Sequence, residues 1–206
     1  MLYRSVLHVK RKSFCDQEFF FDRYQWHRSL SKVFAPVGVP NAYRAFTLRQ
    51  ARVLFHLQPF VDRLQVVVQS KLRPEWSRFE DCRGGVLLEP AVLTWPSGRL
   101  KGRCLSFRLD ARPSRPLYGK REMLVEPGAQ LLWLSRQASR NGFEIRYASA
   151  VQVPFVLGER SNYRRQFWAT SFRGELKVTS RDRFVQAVER GLGPNKAYGF
   201  GLLLTE

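Results

Sequence analysis

Twice along this chain the hydrophobic pattern runs strand, helix, strand, strand, helix, strand, and few architectures accept that order twice. Residues 2–9 alternate as a half-buried strand does, and a helical period takes over across 23–34. Residues 51–57 and 64–69, rich in Val, Leu and Phe, read as two strands joined around Pro59. Residues 74–79 predict a short helix. Beyond a stretch punctuated by Pro and Gly (84–102), residues 104–110 alternate again as a strand. In the second half, 117–125 supplies a strand and 128–140 a helix carrying Leu131, Leu132 and Leu134. Two long strands follow over 143–157 and 166–179, then a helix over 183–190 entered through Thr179 or Ser180, and a strand over 197–205. The halves share this order without visible identity. The repeated βαββαβ order predicts an α+β chain of two tandem ferredoxin-like (RRM-like) domains. Arg112-Pro-Ser-Arg-Pro116 breaks both periodicities, so the seam is placed there, with domains over 1–112 and 113–206.

Charge narrows the partner. Thirty-five Lys and Arg against seventeen acids leave a net +18 and a pI near 10.7, a surplus that in a folded chain points to a polyanion, with nucleic acid the commonest. A membrane-surface protein would need a basic amphipathic helix or a lipidation signal, and neither is visible. No apolar run approaches the roughly 20 residues that span a bilayer. The first ten residues, broken by Arg4 and His8, read as a strand and not as a signal peptide. Cys15, Cys82 and Cys104 lie far apart without C-x-x-C spacing, which argues against a disulfide framework or a zinc site. The expectation is a soluble protein of the reducing cytoplasm, without metal or cofactor.

The helix over 23–34 carries the first candidate chemistry. Asp22 followed by Gln25 has capping-box spacing and starts it. Trp26, Leu30 and Val33 form the buried stripe. Tyr24 and His27, three apart, are neighbours on an adjoining face, in the turns where free backbone N–H groups favour a phosphate. Cutting RNA without a metal needs a group to take the 2′-hydroxyl proton, a donor for the departing 5′-oxygen and stabilisation of the charged phosphorane. A histidine titrates in the right range, and a tyrosine hydroxyl beside it can orient the 2′-hydroxyl or bond the phosphate. On its own, a His and a Tyr on one helix face are also ordinary packing or surface residues. His8 and His56 lie within strand patterns and read as structural.

The most specific segment is Gly191-Leu-Gly-Pro-Asn-Lys-Ala-Tyr-Gly-Phe-Gly-Leu-Leu203. Lys196 occupies the third glycine position of a dinucleotide fingerprint, and the segment runs from helix into strand, the wrong order for that motif. Gly-Lys-Ser/Thr is also missing, so it is not a phosphate-binding P-loop. One reading is a helix C-cap at Gly191 or Gly193 followed by a glycine-bearing strand. The other is that Gly191, Gly193, Gly199 and Gly201 let backbone approach another backbone, or a nucleic acid, closely.

The pattern G-x-G-x-x-K-A-Y-G-x-G-L-L resembles the glycine-rich loop of the CasE-type CRISPR repeat endoribonucleases, which are subunits of Cascade. Tyr24-x-x-His27 followed by Arg-Ser-Leu-Ser-Lys32 resembles that family's active-site helix, and Pro74-Glu-Trp76 and Gly119-Lys-Arg121 are similar in order and spacing. The likeness spans essentially the whole chain. It implies a tandem ferredoxin-like fold, cleavage at the 3′ base of a repeat stem-loop and a 2′,3′-cyclic phosphate product. It also implies retention of the mature guide RNA in a complex with other Cascade subunits. Tyr24 and His27 match the catalytic pair. Lys120, Arg121, Arg160, Arg164 and Arg165 fall where the family places RNA contacts, and Arg28, Lys32 and Lys196 are assigned with them. Asn195 and Phe200 stand at positions the family varies, and Phe19-Phe-Phe21 is either core or an aromatic contact.

The strands flanking residues 158–165 would project three arginines and Tyr163 from one end, a protrusion suited to an A-form hairpin. Most of the basic residues are solvated surface, and the argument rests on the excess. Two other readings stand beside the nuclease. One is a non-catalytic RNA-hairpin-binding subunit with the same fold. The other is a basic ribosome-associated protein, which leaves the C-terminal segment unexplained.

Overall fold

The computed structural model describes residues 2–10, 22–34, 50–79, 86–87, 91–93, 100–158 and 164–206. Two compact units divide them. The first comprises 1–94, 155–167 and 197–199, the second 95–154, 168–196 and 200–206.

In the first unit, β1 (Leu2–Lys10) is followed by α1 (Arg23–Phe34), β2 (Leu54–Pro59) and β3 (Arg63–Ser70). The short strands β4 (Val86–Leu87) and β5 (Ala91–Leu93) close the sheet. The sheet order is β2-β3-β1-β4, with β5 also on β1, and every pairing is antiparallel. This is the ferredoxin-like arrangement, in which the first strand sits between the third and the last. Alternation along β1 sends Leu7 and Val9 inward, where they meet Trp26 and Leu30 of α1 and Phe55 and Val66 of the hairpin. Residues 74–79, expected as a short helix, make one 3₁₀ turn, Trp76–Arg78, whose indole Nε1 donates to Ser5 Oγ at 3.2 Å. The turn stops at Phe79, whose backbone is extended (φ −79°, ψ 90°) and whose ring packs on Trp76 and Trp26.

The second unit repeats the plan but opens one strand earlier than the sequence suggested. It runs β6 (Cys104–Ala111), a ribbon of β7 (Ser114–Leu117) and β8 (Lys120–Met123), α2 (Pro127–Arg140), β9 (Phe143–Gly158), β10 (Arg164–Val178), α3 (Arg181–Arg190) and β11 (Leu204–Thr205), with residues 155–158 of β9 and 164–167 of β10 counted in the first unit. The sheet order is β11-β6-β10-β9. Residues 104–110, assigned to the end of the first domain, therefore open the second, paired along their whole length with β10. The first sheet closes instead with β4 and β5, inside the stretch read as an irregular connection. The break expected at 112/113 falls within the second unit, and the units part at 94/95. Phe107, Leu109 and Ala111 alternate inward, and that pattern specifies a buried face without naming the sheet that covers it. Residues 117–125, read as a single strand, turn back on themselves in the ribbon. The strand expected over 197–205 shrinks to β11, because 196–198 form a 3₁₀ turn. No helix among the described residues is long and apolar enough to cross a membrane.

Candidate active site

Asp22 caps α1, its Oδ1 accepting the backbone N–H of Tyr24 at 2.9 Å and of Gln25 at 3.3 Å. The anticipated stripe is in place, with Trp26, Leu30 and Val33 each no more than 2% exposed. That stripe fixes the rotation of the helix and sets Tyr24 and His27, both half-buried, on the adjoining face. Ser31 Oγ donates to the carbonyl of His27 at 2.6 Å and ties down the next turn.

The glycine-rich segment reaches this helix within the first unit. The ring of Tyr198 lies edge-on to His27, with centroids 6.5 Å apart and an interplanar angle of 64°. Beneath them Arg23, only 6% exposed, donates through Nη1 to the carbonyls of Tyr198 at 3.1 Å and Gly199 at 3.0 Å, and its guanidinium lies over Phe155 at 5.7 Å. A charged donor serving two carbonyls is worth more than a neutral one and has no reason to swing free. Neither Arg23 nor Tyr198 was assigned a role from sequence. A basic residue in a first helical turn ordinarily faces water, and nothing local marks Arg23 as buried. Tyr198 carried a signal, the one aromatic between the loop's lysine and its third glycine.

Of the four loop glycines, Gly199 and Gly201 show what the segment requires. Gly199 has φ +73°, and a Cβ there would stand 2.5 Å from the buried ring of Phe55 and 3.0 Å from Arg23 Nη1. Gly201 has φ +84°, and a Cβ would run into the carbonyl of Leu192, whose own N–H donates to Gly201 O at 2.8 Å. The close approach is thus to this chain's own backbone and core. Gly191 ends α3 as the C-cap, its N–H donating to Ala187 O at 2.8 Å, and Gly193 packs against Trp133.

Burial pushes the imidazole of His27 below its ordinary pKa, because the charged form loses solvation. Burial also lowers Lys196, which lies in the second unit and makes no hydrogen bond or ion pair among the described residues. Arg28 is exposed and Lys32 half-buried on α1, whereas Lys120 and Arg121 are exposed on β8. Arg160 and Tyr163 lie outside the described residues, as do Phe19, Phe20 and Phe21. Arg164 and Arg165 open β10, where only the backbone is described. Among the described residues, no three His, Cys, Asp or Glu side chains are grouped to hold a metal ion.

His27 is thus half-buried, three residues from Tyr24 on one helix and edge-on to Tyr198. Comparison with known proteins supplies the context. A family model described as CRISPR associated protein matches residues 2–206. The CRISPR-associated endoribonuclease Cse3 of Thermus thermophilus is 31% identical over 196 residues, covering 87% of this chain and 88% of that protein. A structure of Thermus thermophilus Cse3 bound to an RNA representing a pre-cleavage complex superposes with a TM-score of 0.81 at 27% identity, over 100% of this chain and 98% of that one. The CRISPR-associated protein Cas6e of Escherichia coli K-12 shares the fold, with a TM-score of 0.70 at 20% identity and 98% of each chain covered. With the helix, the glycine-rich segment and the tandem sheets in one chain, the protein belongs to the CasE-type (Cse3) family of CRISPR-associated endoribonucleases.

Proposed function

We propose that this protein is a metal-independent endoribonuclease that cuts a CRISPR precursor transcript at the 3′ base of the repeat stem-loop. It then stays on the guide RNA with other Cascade subunits, in the cytoplasm. The observation that carries the reading is the placement of His27, half-buried on α1, three residues from Tyr24 and edge-on to Tyr198. His27 takes the proton of the 2′-hydroxyl, whose oxygen attacks the adjacent phosphorus. The P–O5′ bond breaks, leaving a 2′,3′-cyclic phosphate and a 5′-hydroxyl once the departing oxygen is protonated. The hydroxyl of Tyr24, on the same helix face, orients the 2′-hydroxyl or bonds the phosphate. Arg28 and Lys32 of α1 place further positive charge on the helix that carries the pair.

The test is cleavage of a labelled repeat RNA in excess EDTA, with binding measured in parallel. One discrete product is expected. Folded protein that binds the RNA and leaves it intact, with or without Mg²⁺, would be a binding subunit. Cutting restored only by Mg²⁺ would overturn the metal-free chemistry.

A pH prediction follows from the burial of His27. A lowered pKa keeps the imidazole neutral, and able to accept a proton, further into acid than a free histidine. The acidic limb of kcat/KM, which reports the free protein, is therefore expected below pH ~6.5, the unperturbed value. A limb at or above that value in wild type would remove His27 from the base role.

A further inference from the structure

The ribbon β7–β8 stands outside both sheets as a two-stranded unit. A lone hairpin is marginal in water, and this one is held at its base. Leu124 N–H donates to Pro113 O at 3.0 Å, and Gln130, 1% exposed, donates through Nε2 to the carbonyls of Leu124 at 2.9 Å and Val125 at 3.2 Å. Arg115 Nε bonds Glu122 Oε2 across the strands at 2.6 Å. The register pairs Leu117 with Lys120, so only Tyr118 and Gly119 make the turn.

Both turn residues have positive φ, +46° for Tyr118 and +74° for Gly119, the type I′ geometry of tight hairpins. The first position of that turn favours Asn, Asp or Gly, and an aromatic residue there is strained. The strain secures no packing, because Tyr118 is 97% exposed. A large ring is thus held in water at the tip of a braced ribbon, with the exposed cations of Lys120 and Arg121 beside it. Arg121 spends one Nη1 contact on Ser114 Oγ at 3.4 Å, whereas Arg115 is taken up by Glu122. An exposed π-face flanked by unpaired positive charge suits a nucleotide, with the base on the ring and its phosphates on the cations. An apolar protein surface would be a poor match for those cations.

We propose that Tyr118 stacks on an unpaired base of the bound RNA, with Lys120 and Arg121 meeting the neighbouring phosphates. The inference rests on the reading that this protein binds a repeat RNA, and it adds to the expected contacts of Lys120 and Arg121 a base contact at Tyr118. The deciding variant is Tyr118→Asn, since asparagine accepts the left-handed turn and removes the ring. Binding is measured to a repeat stem-loop RNA with single-stranded flanks, carrying 2-aminopurine at each unpaired position in turn. Wild type is expected to quench one position. Tyr118→Asn is expected to lose that quenching and to bind about fivefold or more weakly, at unchanged or higher melting temperature. Tyr118→Phe retains both. If Tyr118→Asn binds and quenches as wild type does, or Tyr118→Phe is as weak as Tyr118→Asn, the stacking contact is overturned and the nuclease reading stands. If wild type binds no RNA, the reading beneath it falls as well. If Tyr118→Asn instead loses only its association with a partner protein, the ribbon is a protein-docking element and the RNA contact is wrong.

Discussion

His27→Ala is expected to slow single-turnover cleavage of repeat RNA by about a hundred- to ten-thousand-fold, the usual worth of positioned general acid–base catalysis. RNA affinity should hardly change. His27 is one half-buried side chain on a basic protein, and the phosphate contacts that dominate affinity come from the many lysines and arginines. The melting temperature should also hold, because the α1 stripe of Trp26, Leu30 and Val33 does not involve the imidazole. Loss of rate with binding intact separates a chemical role from a structural one. Equal rates in mutant and wild type would move the proton transfer to another group, and Tyr24→Phe, which deletes only a hydroxyl, then becomes the informative variant. Loss of binding together with rate would mean that His27 is a contact.

The second large effect is expected where α1 meets the glycine-rich segment. In Gly199→Ala the new methyl would sit 2.5 Å from a ring carbon of Phe55, which is 1% exposed and cannot withdraw. Left-handed backbone costs alanine ~1–2 kcal/mol, and overpacking a closed core adds ~1–3 kcal/mol. A loss of ~2–5 kcal/mol is expected in denaturant titrations, a large share of the ~5–15 kcal/mol that holds an ordinary domain together. The same methyl lies 3.0 Å from Arg23 Nη1, so the backbone that presents Tyr198 to His27 would shift and the cleavage rate would fall. Arg23→Met probes the bond from the other side. It keeps an unbranched apolar stem and removes the donor to the carbonyls of Tyr198 and Gly199, each of which costs ~1–3 kcal/mol if left unpaired while buried. Wild-type stability and rate in both variants would show that the segment is not held by this contact.

Local features of this chain were legible from sequence because short-range physics decides them. Asp22 caps α1 because its carboxylate reaches two backbone N–H groups whatever the rest of the chain does. Trp26, Leu30 and Val33 face the core because 3.6 residues per turn puts them in one stripe. Tyr24 and His27 could therefore be placed side by side before any tertiary contact was known. The limits of β3, β9, β10 and α2 came within a few residues, since alternation and turn chemistry mark them.

Sheet membership was a different matter. Residues 104–110 alternate equally well as the last strand of one ferredoxin-like unit or the first of the next, and only pairing with β10 over residues 170–177 separates the two. The closing strands of the first sheet are two and three residues long, too short for periodicity to reveal. The pattern around 112–116 marked a turn, and whether a turn ends a domain or begins a ribbon depends on which core lies beneath it.

The chemistry divides in the same way. Sequence by itself determined the helix, its capped start, its buried stripe and the Tyr24–His27 face, all set within a few residues by backbone geometry. Only tertiary structure decided that Tyr198 meets His27 and that Arg23, 175 residues from Tyr198 in the chain, is the buried donor to its carbonyl. Contacts at that separation form only after the core has closed around both partners, and no local pattern encodes them.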